Sequence, residues 1–313
     1  MADSDNPLII VCGPTGSGKS ALALAVAERF CGEVLNCDSV QIYRHFDIGT
    51  AKTPLAERRG IPHHLLDAAE PEEVFTAGDY ARLGRAALAD ISGRGRLPVI
   101  AGGTGFYLRA LLLGLFEGPA RNEELRERLA LRQTRRPGSL HRLLGRWDPR
   151  AAARIHSNDV GKTMRALEVV LTEKQPMTNL LERGRDPLTG YRVLKFGLNP
   201  PRPVLYERLE RRAQEMFERG LIEEVDNLLQ RGHAPTAKPF ESLGYAQALA
   251  VVQGVMTVEQ AIADTQMYTR RYAKRQWTWF RREPEVQWMA GFGTDAAVQH
   301  AVLEGVAKFL GLG

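Results

Sequence analysis

Residues 13 to 20 read GPTGSGKS and fill every fixed position of the phosphate-binding pattern G-x-x-x-x-G-K-[ST]. The chemistry that suits this spacing is capture of a polyphosphate or a pyrophosphate. Gly13 and Gly18 allow a tight turn, and Pro14, Thr15, Gly16 and Ser17 complete a loop whose backbone N–H groups point at phosphate oxygens. Lys19 would reach the outer phosphate, and the Ser20 hydroxyl would ligate Mg²⁺. The pattern specifies phosphate but leaves open whether a nucleotide carries it.

Further candidates follow. Asp38 opens the stretch DSVQIYR, residues 38 to 44. A carboxylate there can act as a general base or as a magnesium partner through water, and equally as the cap of the next turn, since Asp-Ser is a good capping pair. GGTG, residues 102 to 105, offers the Thr104 hydroxyl at a second glycine-rich turn. His63 and His64 have no third ligand at metal spacing and read as structural or site-lining. Arg208 and Arg212 are spaced to share one helix face, from which one could return to a phosphate; a solvated helix is the plainer alternative.

The elements that must position these residues can be read from apolar patterning. Short apolar runs at 8–12, 33–37 and 97–101, and an alternating one at 191–198, read as strands. Ala/Leu-rich or periodic stretches at 21–30, 75–91, 205–230 and 295–310 read as helices, with Gly220 breaking the third. The phosphate loop, Asp38 and Thr104 then all fall at strand C-termini, the edge where ligands bind in open α/β sheets. The expected fold is α/β, a P-loop NTPase-like parallel sheet flanked by helices, with a helical insertion domain. Core segments 1–117 and 190–313 would flank an arginine-rich insertion at 118–189.

Charge is distributed unevenly. The chain of 313 residues has a net charge of +5 and a pI of about 9.2. Residues 121–154 alone carry ten arginines against four acids, and arginine rather than lysine favours phosphate recognition. Residues 265–282 carry six basic residues, no acids, and interleaved Tyr268, Tyr272, Trp277, Trp279 and Phe280. Such a helix can press aromatics onto a core while its cations meet a nucleic-acid backbone. Three cysteines without C-x-x-C spacing indicate neither a disulfide framework nor a cysteine zinc site. A polar N-terminus and no long apolar run point to a cytoplasmic protein without a membrane segment.

Read in order, these motifs resemble the tRNA dimethylallyltransferases, also called tRNA isopentenyltransferases. The resemblance rests on GPTGSGKS (13–20), DSVQIYR (38–44), IPHHLLD (61–67), GGTGFYLRALL (102–112), NDVGKTMRALEV (158–169), GLIEEV (220–225), SLGYAQ (242–247) and YAKRQWTWFR (272–281). Gly16 stands where the family usually has alanine, and Lys162 where arginine is common. No C-terminal zinc finger follows, as in the bacterial form.

The resemblance implies transfer of a dimethylallyl group from dimethylallyl pyrophosphate to the exocyclic amine of the adenine immediately 3′ of the anticodon, in tRNAs reading codons that begin with U. It implies Asp38 as the base, Thr104 as a hydrogen-bonding partner of the reacting groups, and Arg212 with Lys19 and Ser20-bound Mg²⁺ at the pyrophosphate. It further implies contacts to the tRNA anticodon stem-loop from Asp38, Ser39, Val40, Gln41, Thr104, Arg126, Lys162, Thr163, Met164, Arg165, Ala166, Arg275 and Arg281. A monomer with no obligate protein partner is expected. A small-molecule kinase shares the loop and Mg²⁺ but leaves the basic clusters unexplained. A GTPase lacks its N-K-x-D motif, and a non-catalytic RNA-binding protein leaves the phosphate loop unexplained.

Overall fold

A computed structural model describes residues 5–116, 118–182 and 184–312. The chain divides into two compact units, Met1–Leu112 with Leu188–Gly313, and Leu113–Pro187. The first unit opens with β1 (Asn6–Cys12), α1 (Lys19–Arg29) and β2 (Gly32–Cys37). It continues through β3 (His63–His64), α2 (Ala77–Gly93), β4 (Leu97–Gly102) and α3 (Gly105–Leu113). The second unit holds α4 (Glu123–Arg135), α5 (Ser139–Trp147), α6 (Pro149–Arg154), α7 (Val160–Glu173) and α8 (Met177–Glu182). The chain then returns as β5 (Tyr191–Leu198), α9 (Arg202–Glu218), α10 (Leu221–Gln230) and α11 (Tyr245–Val252). It ends in α12 (Val258–Phe280), β6 (Val286–Met289) and α13 (Ala296–Leu310).

The six strands form one all-parallel sheet in the order β3-β2-β4-β1-β5-β6. Its centre reads as near-continuous apolar sequence because both faces are covered by helices. Side chains alternate along β1. Leu8, Ile10 and Cys12 join Leu35, Ile100, Tyr80, Leu111 and Phe280 on one face. Ile9 and Val11 join Val99, Phe196, the α1 residues Leu22 and Val26, and the α13 residues Val302 and Val306 on the other. Each such side chain stabilises the fold by roughly 1.5–3 kcal/mol.

The glycine break expected near Gly220 separates α9 from α10, with Gly220 at φ 95° as the N-cap. The expected strands and helices form within a few residues of their boundaries. Two features exceed the expectation. His63 and His64 form the edge strand β3, and 286–289 forms β6, a strand too short and too exposed to show in the apolar pattern. The basic aromatic helix starts earlier, at Val258, behind a capping box of Thr257 and Gln260.

The helical unit has its own core. Leu129, Leu140, Leu144, Ala151, Ala166 and Leu167 meet there. Asp148 is buried and caps α6 through Ala151 N at 2.9 Å, while also accepting from Thr178 N at 3.0 Å.

Candidate active site

The loops that follow β1, β2 and β4 line one edge of the sheet. At β1 the chain turns through Gly16 at φ 75° and Gly18 at φ 89°, a backbone region that favours glycine, and Gly18 caps α1. A Cβ on Gly16 would lie 2.6 Å from Leu209 Cδ2, a flexible end of a side chain. The loop is buttressed from two sides. Gly293 N donates to Ser17 O at 2.8 Å, and the Ser17 hydroxyl donates to Pro14 O at 2.8 Å.

A cavity of about 560 Å³ opens in front of this loop. Thr15, Gly16, Gly18, Lys19 and Ser20 line it together with Asp38, Gln41, Arg208 and Arg212. Lys19 is half-buried and donates to Pro14 O at 2.8 Å. Burial pulls its pKa down from 10.5 to about 8; Asp38 opposes this and Arg212 adds to it. Burial likewise lowers the Arg212 pKa, against the pull of Asp38 and with the repulsion of Arg208. Lys19, Arg208 and Arg212 thus converge on one cavity, with Arg59, paired to Glu28, at its wall, and an anion bound there would offset their mutual repulsion. Arg208 is propped over the Phe292 ring at 5.0 Å. Arg219 lines a separate pocket with His45 and Arg231. Of the arginines on the helix expected to reach the loop, Arg208 and Arg212 are therefore the ones at the cavity.

Asp38 follows directly on β2. Its Oδ1 accepts from Val40 N at 2.9 Å and Gln41 N at 3.3 Å. The capping role is real, and it uses one oxygen. Oδ2 has no hydrogen-bond partner among the described residues, which leaves it available to take a proton. Thr104 Oγ1 accepts from Ser39 N at 3.1 Å, so the β4 turn fixes the β2 turn.

A second cavity, about 320 Å³, adjoins the first. Thr15, Asp38, Thr50 and Arg212 line both. Ser39, Val40, Met216, Leu243, Tyr272 and Arg275 give the second its own character, half apolar and half polar. Burial, with help from the Asp38 charge, raises the Tyr272 phenol well above its ordinary value, so it stays protonated. The buried thiols of Cys12 and Cys37 are pushed up to about 12 and are not nucleophiles.

Gln276 falls inside YAKRQWTWFR, a stretch that assigns it no role. It is buried on α12, accepts from Thr15 N at 2.7 Å, and donates to Gly103 O at 3.0 Å. One side chain therefore joins the phosphate loop to the GGTG turn. A glutamine between basic residues gives no sequence signal of this; only the helical spacing from buried Ala273 and Phe280 marks its inward face.

Arg275 lies on the Tyr272 ring at 5.5 Å and belongs also to a surface pocket with Arg109, Arg271, Lys274 and Arg282. Arg281 is exposed at the end of α12 and lines neither cavity.

In the helical unit the expected RNA contacts divide. Lys162 is exposed, paired with Asp159 at 2.7 Å. Met164 packs against the helical core. Thr163 and Ala166 require correction: at 1% and 0% exposure they are packing residues with no side-chain surface for RNA. Arg126 and Arg165 both turn onto buried Glu168, at 3.1 and 2.7 Å, which balances a charge costly to bury alone. Four other arginines, 128, 132, 135 and 136, instead share an exposed pocket on α4 with Leu131. The i, i+4, i+7 spacing of Arg128, Arg132 and Arg135 is legible in the sequence as one helix face.

Comparison with known proteins agrees with this geometry. The family model described as IPP transferase matches residues 41–283. The chain is 60% identical over 305 residues to a tRNA dimethylallyltransferase of Solibacter usitatus, covering 97% of this chain and 99% of that one. It is 57% identical over 296 residues to the enzyme of the same name from Koribacter versatilis, covering 94% and 96%. Among solved structures, the full-length tRNA isopentenylpyrophosphate transferase of Bacillus halodurans aligns at TM-score 0.71 and 35% identity, covering 98% and 96%. A eukaryotic dimethylallyltransferase acting on tRNA aligns at TM-score 0.83 and 26% identity, covering 98% of this chain and 80% of that one. With the phosphate loop, Asp38 and Thr104 on one sheet edge and most of the chain matched, this protein belongs to the IPP transferase family, the tRNA dimethylallyltransferases.

Proposed function

We propose that this chain transfers the dimethylallyl group of dimethylallyl pyrophosphate to the exocyclic amine of the adenine immediately 3′ of the anticodon, in tRNAs reading codons that begin with U. The observation that carries this reading is the pair of adjoining cavities with Asp38 and Arg212 in the wall of both. The cation-rich cavity suits a pyrophosphate. The half-apolar cavity beside Tyr272 suits a planar base withdrawn from its stack.

The reaction forms a bond from the adenine amine nitrogen to C1 of the dimethylallyl group. The C1–O bond breaks, and its electron pair leaves with pyrophosphate. The proton lost from the amine goes to Asp38 Oδ2. Oδ1 stays bound to Val40 N and Gln41 N, which holds the carboxylate in place during transfer. Lys19, Arg208 and Arg212 stabilise the charge that develops on the leaving group. Thr104 lines neither cavity itself; it holds the Asp38 turn through Ser39 and bonds to Tyr272, which lines the acceptor cavity.

Mg²⁺ fits the loop. The Ser20 hydroxyl faces the first cavity and has no protein partner among the described residues. Among the described residues, no group of three or more His, Cys, Asp or Glu side chains could hold a metal by itself. Mg²⁺ takes one or two protein oxygens and completes its shell with phosphate and water. Bound there, Mg²⁺ would add positive charge at the leaving pyrophosphate.

The exposed arginines of α4 and the cations of α12 each supply a phosphate-binding face for the anticodon stem-loop. Among the described residues no helix is long and apolar enough to cross a membrane, and the cytoplasm, where tRNA is found, is the proposed location. Label transfer from dimethylallyl pyrophosphate to unmodified tRNA with Mg²⁺ tests the reading. Label on the adenine next to the anticodon is expected. Phosphoryl transfer from ATP without prenyl transfer would replace it with the kinase reading.

A further inference from the structure

The segment between β2 and the 3₁₀ turn at Leu55–Arg58 has no regular structure, yet it walls the site. Gly49 and Thr50 line the second cavity, and Thr50 also lines the first. A segment of this kind needs partners for its amides. Two side chains from α10 and α11, neither lining the two cavities, supply them.

Glu224 Oε2 accepts from Ile48 N at 3.1 Å and from Asp47 N at 3.4 Å. The Tyr245 hydroxyl donates to Glu224 Oε1 and accepts from Gly49 N at 3.1 Å. Three consecutive amides, of residues 47 to 49, are thus held by one carboxylate and one phenol. The fit is close: a Cβ on Gly49 would lie 2.5 Å from Tyr245 Cε2. Tyr245 is fully buried and packs its ring on Phe46 at 4.7 Å. At the far end, buried Lys52 donates to Tyr43 O at 2.6 Å and pairs with Asp47 at 2.8 Å and Asp67 at 2.6 Å.

Between these anchors the segment reaches the reacting groups. Gln41 Nε2 donates to Thr50 O at 3.0 Å, and Gln41 N donates to Asp38 Oδ1 at 3.3 Å. The path from Glu224 to Asp38 is continuous: Glu224, the 48–50 backbone, Gln41, Asp38. A half-buried carboxylate is a costly way merely to fill space, and an apolar side chain would serve packing better. A carboxylate and a phenol are what backbone amides require.

We propose that Glu224 and Tyr245 are positioning residues for the transfer reaction. They fix residues 47–50, of which Gly49 lines the second cavity and Thr50 lines both, and, through Thr50 and Gln41, orient Asp38. This rests on the reading of Asp38 as the proton acceptor beside the acceptor-base cavity.

The test compares Tyr245→Phe, Glu224→Gln and Glu224→Leu with the wild-type chain. Tyr245→Phe keeps the ring against Phe46 and Gly49 and removes only the hydroxyl. The expected result is a kcat lowered about ten- to a hundredfold with a raised KM for tRNA, because small misplacement of reacting groups has that effect. The affinity for inorganic pyrophosphate, read by calorimetry, stays within about twofold, since Lys19, Arg208 and Arg212 do not bond to the segment. Glu224→Gln retains an acceptor for the amides and recovers most of the activity that Glu224→Leu loses. If Glu224→Leu does not fold, Tyr245→Phe carries the test.

Wild-type kcat and tRNA KM in a folded Tyr245→Phe protein, with only its melting temperature lowered, would overturn the proposal. So would an equal loss of pyrophosphate affinity, which would mean that the whole site had loosened. Absence of prenyl transfer by the wild-type chain would remove the function itself. Transfer by wild type with unaffected variants would remove this inference alone.

Discussion

Gln276 and Thr15 lie 261 residues apart in sequence and 2.7 Å apart in the fold, joined by a hydrogen bond from the Thr15 amide to the Gln276 side-chain oxygen. The same side chain donates to Gly103 O at 3.0 Å. The helix that carries Tyr272 and Arg275 into the second cavity is therefore tied directly to the glycine-rich loop of residues 13–20.

Gln276→Met keeps the volume and removes both bonds. It leaves a half-buried amide and a buried carbonyl without partners, the carbonyl at a cost of about 1–3 kcal/mol and the amide at less. The expected outcome is a lower melting temperature together with a KM for dimethylallyl pyrophosphate raised about tenfold, since a phosphate loop out of place binds less well. Steady-state kinetics check this. A fall in melting temperature alone would reduce Gln276 to a packing residue.

Asp38→Asn preserves the oxygen that accepts from Val40 N and Gln41 N, so the turn should survive. What disappears is proton acceptance, and turnover should fall by roughly two to four powers of ten. Inorganic pyrophosphate should bind as before. Near-normal turnover would move the base elsewhere.

Lys19 supplies a pH signature. Its pKa in the free site is lowered by burial from 10.5 to about 8. Above that value the empty site holds neutral Lys19, and binding an anion must take up a proton. The Lys19 contribution to pyrophosphate affinity should therefore be flat below about pH 8 and weaken toward tenfold per pH unit above it, superposed on the ionisation of pyrophosphate itself. Calorimetry from pH 7 to 9.5 checks this, and Lys19→Met should leave only the pH dependence that pyrophosphate itself contributes. The same lowered pKa means the unfolded chain holds this proton more tightly between about pH 8 and 10.5, so Lys19 destabilises the unliganded fold less as pH rises through that window.

Arg128 and Arg132 are exposed on one face of α4. Replacing both with alanine should weaken tRNA binding and reduce the slope of log K against log salt by about one for each phosphate no longer neutralised. Arg126→Ala should act differently, through stability, because it leaves buried Glu168 with one cation fewer. Equal effects of the two changes on the salt slope would contradict this division.

The amino-acid sequence by itself determined the phosphate loop, the order of most strands and helices, and the sheet edge on which Asp38 and Thr104 fall. The reason is local. Buried parallel strands are continuous apolar runs, and the glycines of GPTGSGKS ahead of α1 specify the turn locally, before Gly293 and Gln276 hold it in place. Tertiary structure decided which distant groups complete the site. Arg208 and Arg212 have the spacing of a solvated helix face, and only the placement of α9 sets them opposite Lys19. Thr163 and Ala166 read as RNA contacts because they belong to a motif, whereas the packing of α5 against α7 turns them inward. Gln276, Glu224 and Tyr245 lie in motifs that mark the family, but nothing in those motifs assigns them a role. Their roles exist only once chain segments far apart in sequence bring backbone amides and carbonyls to them, and no periodicity along the chain encodes a partner more than a hundred residues away.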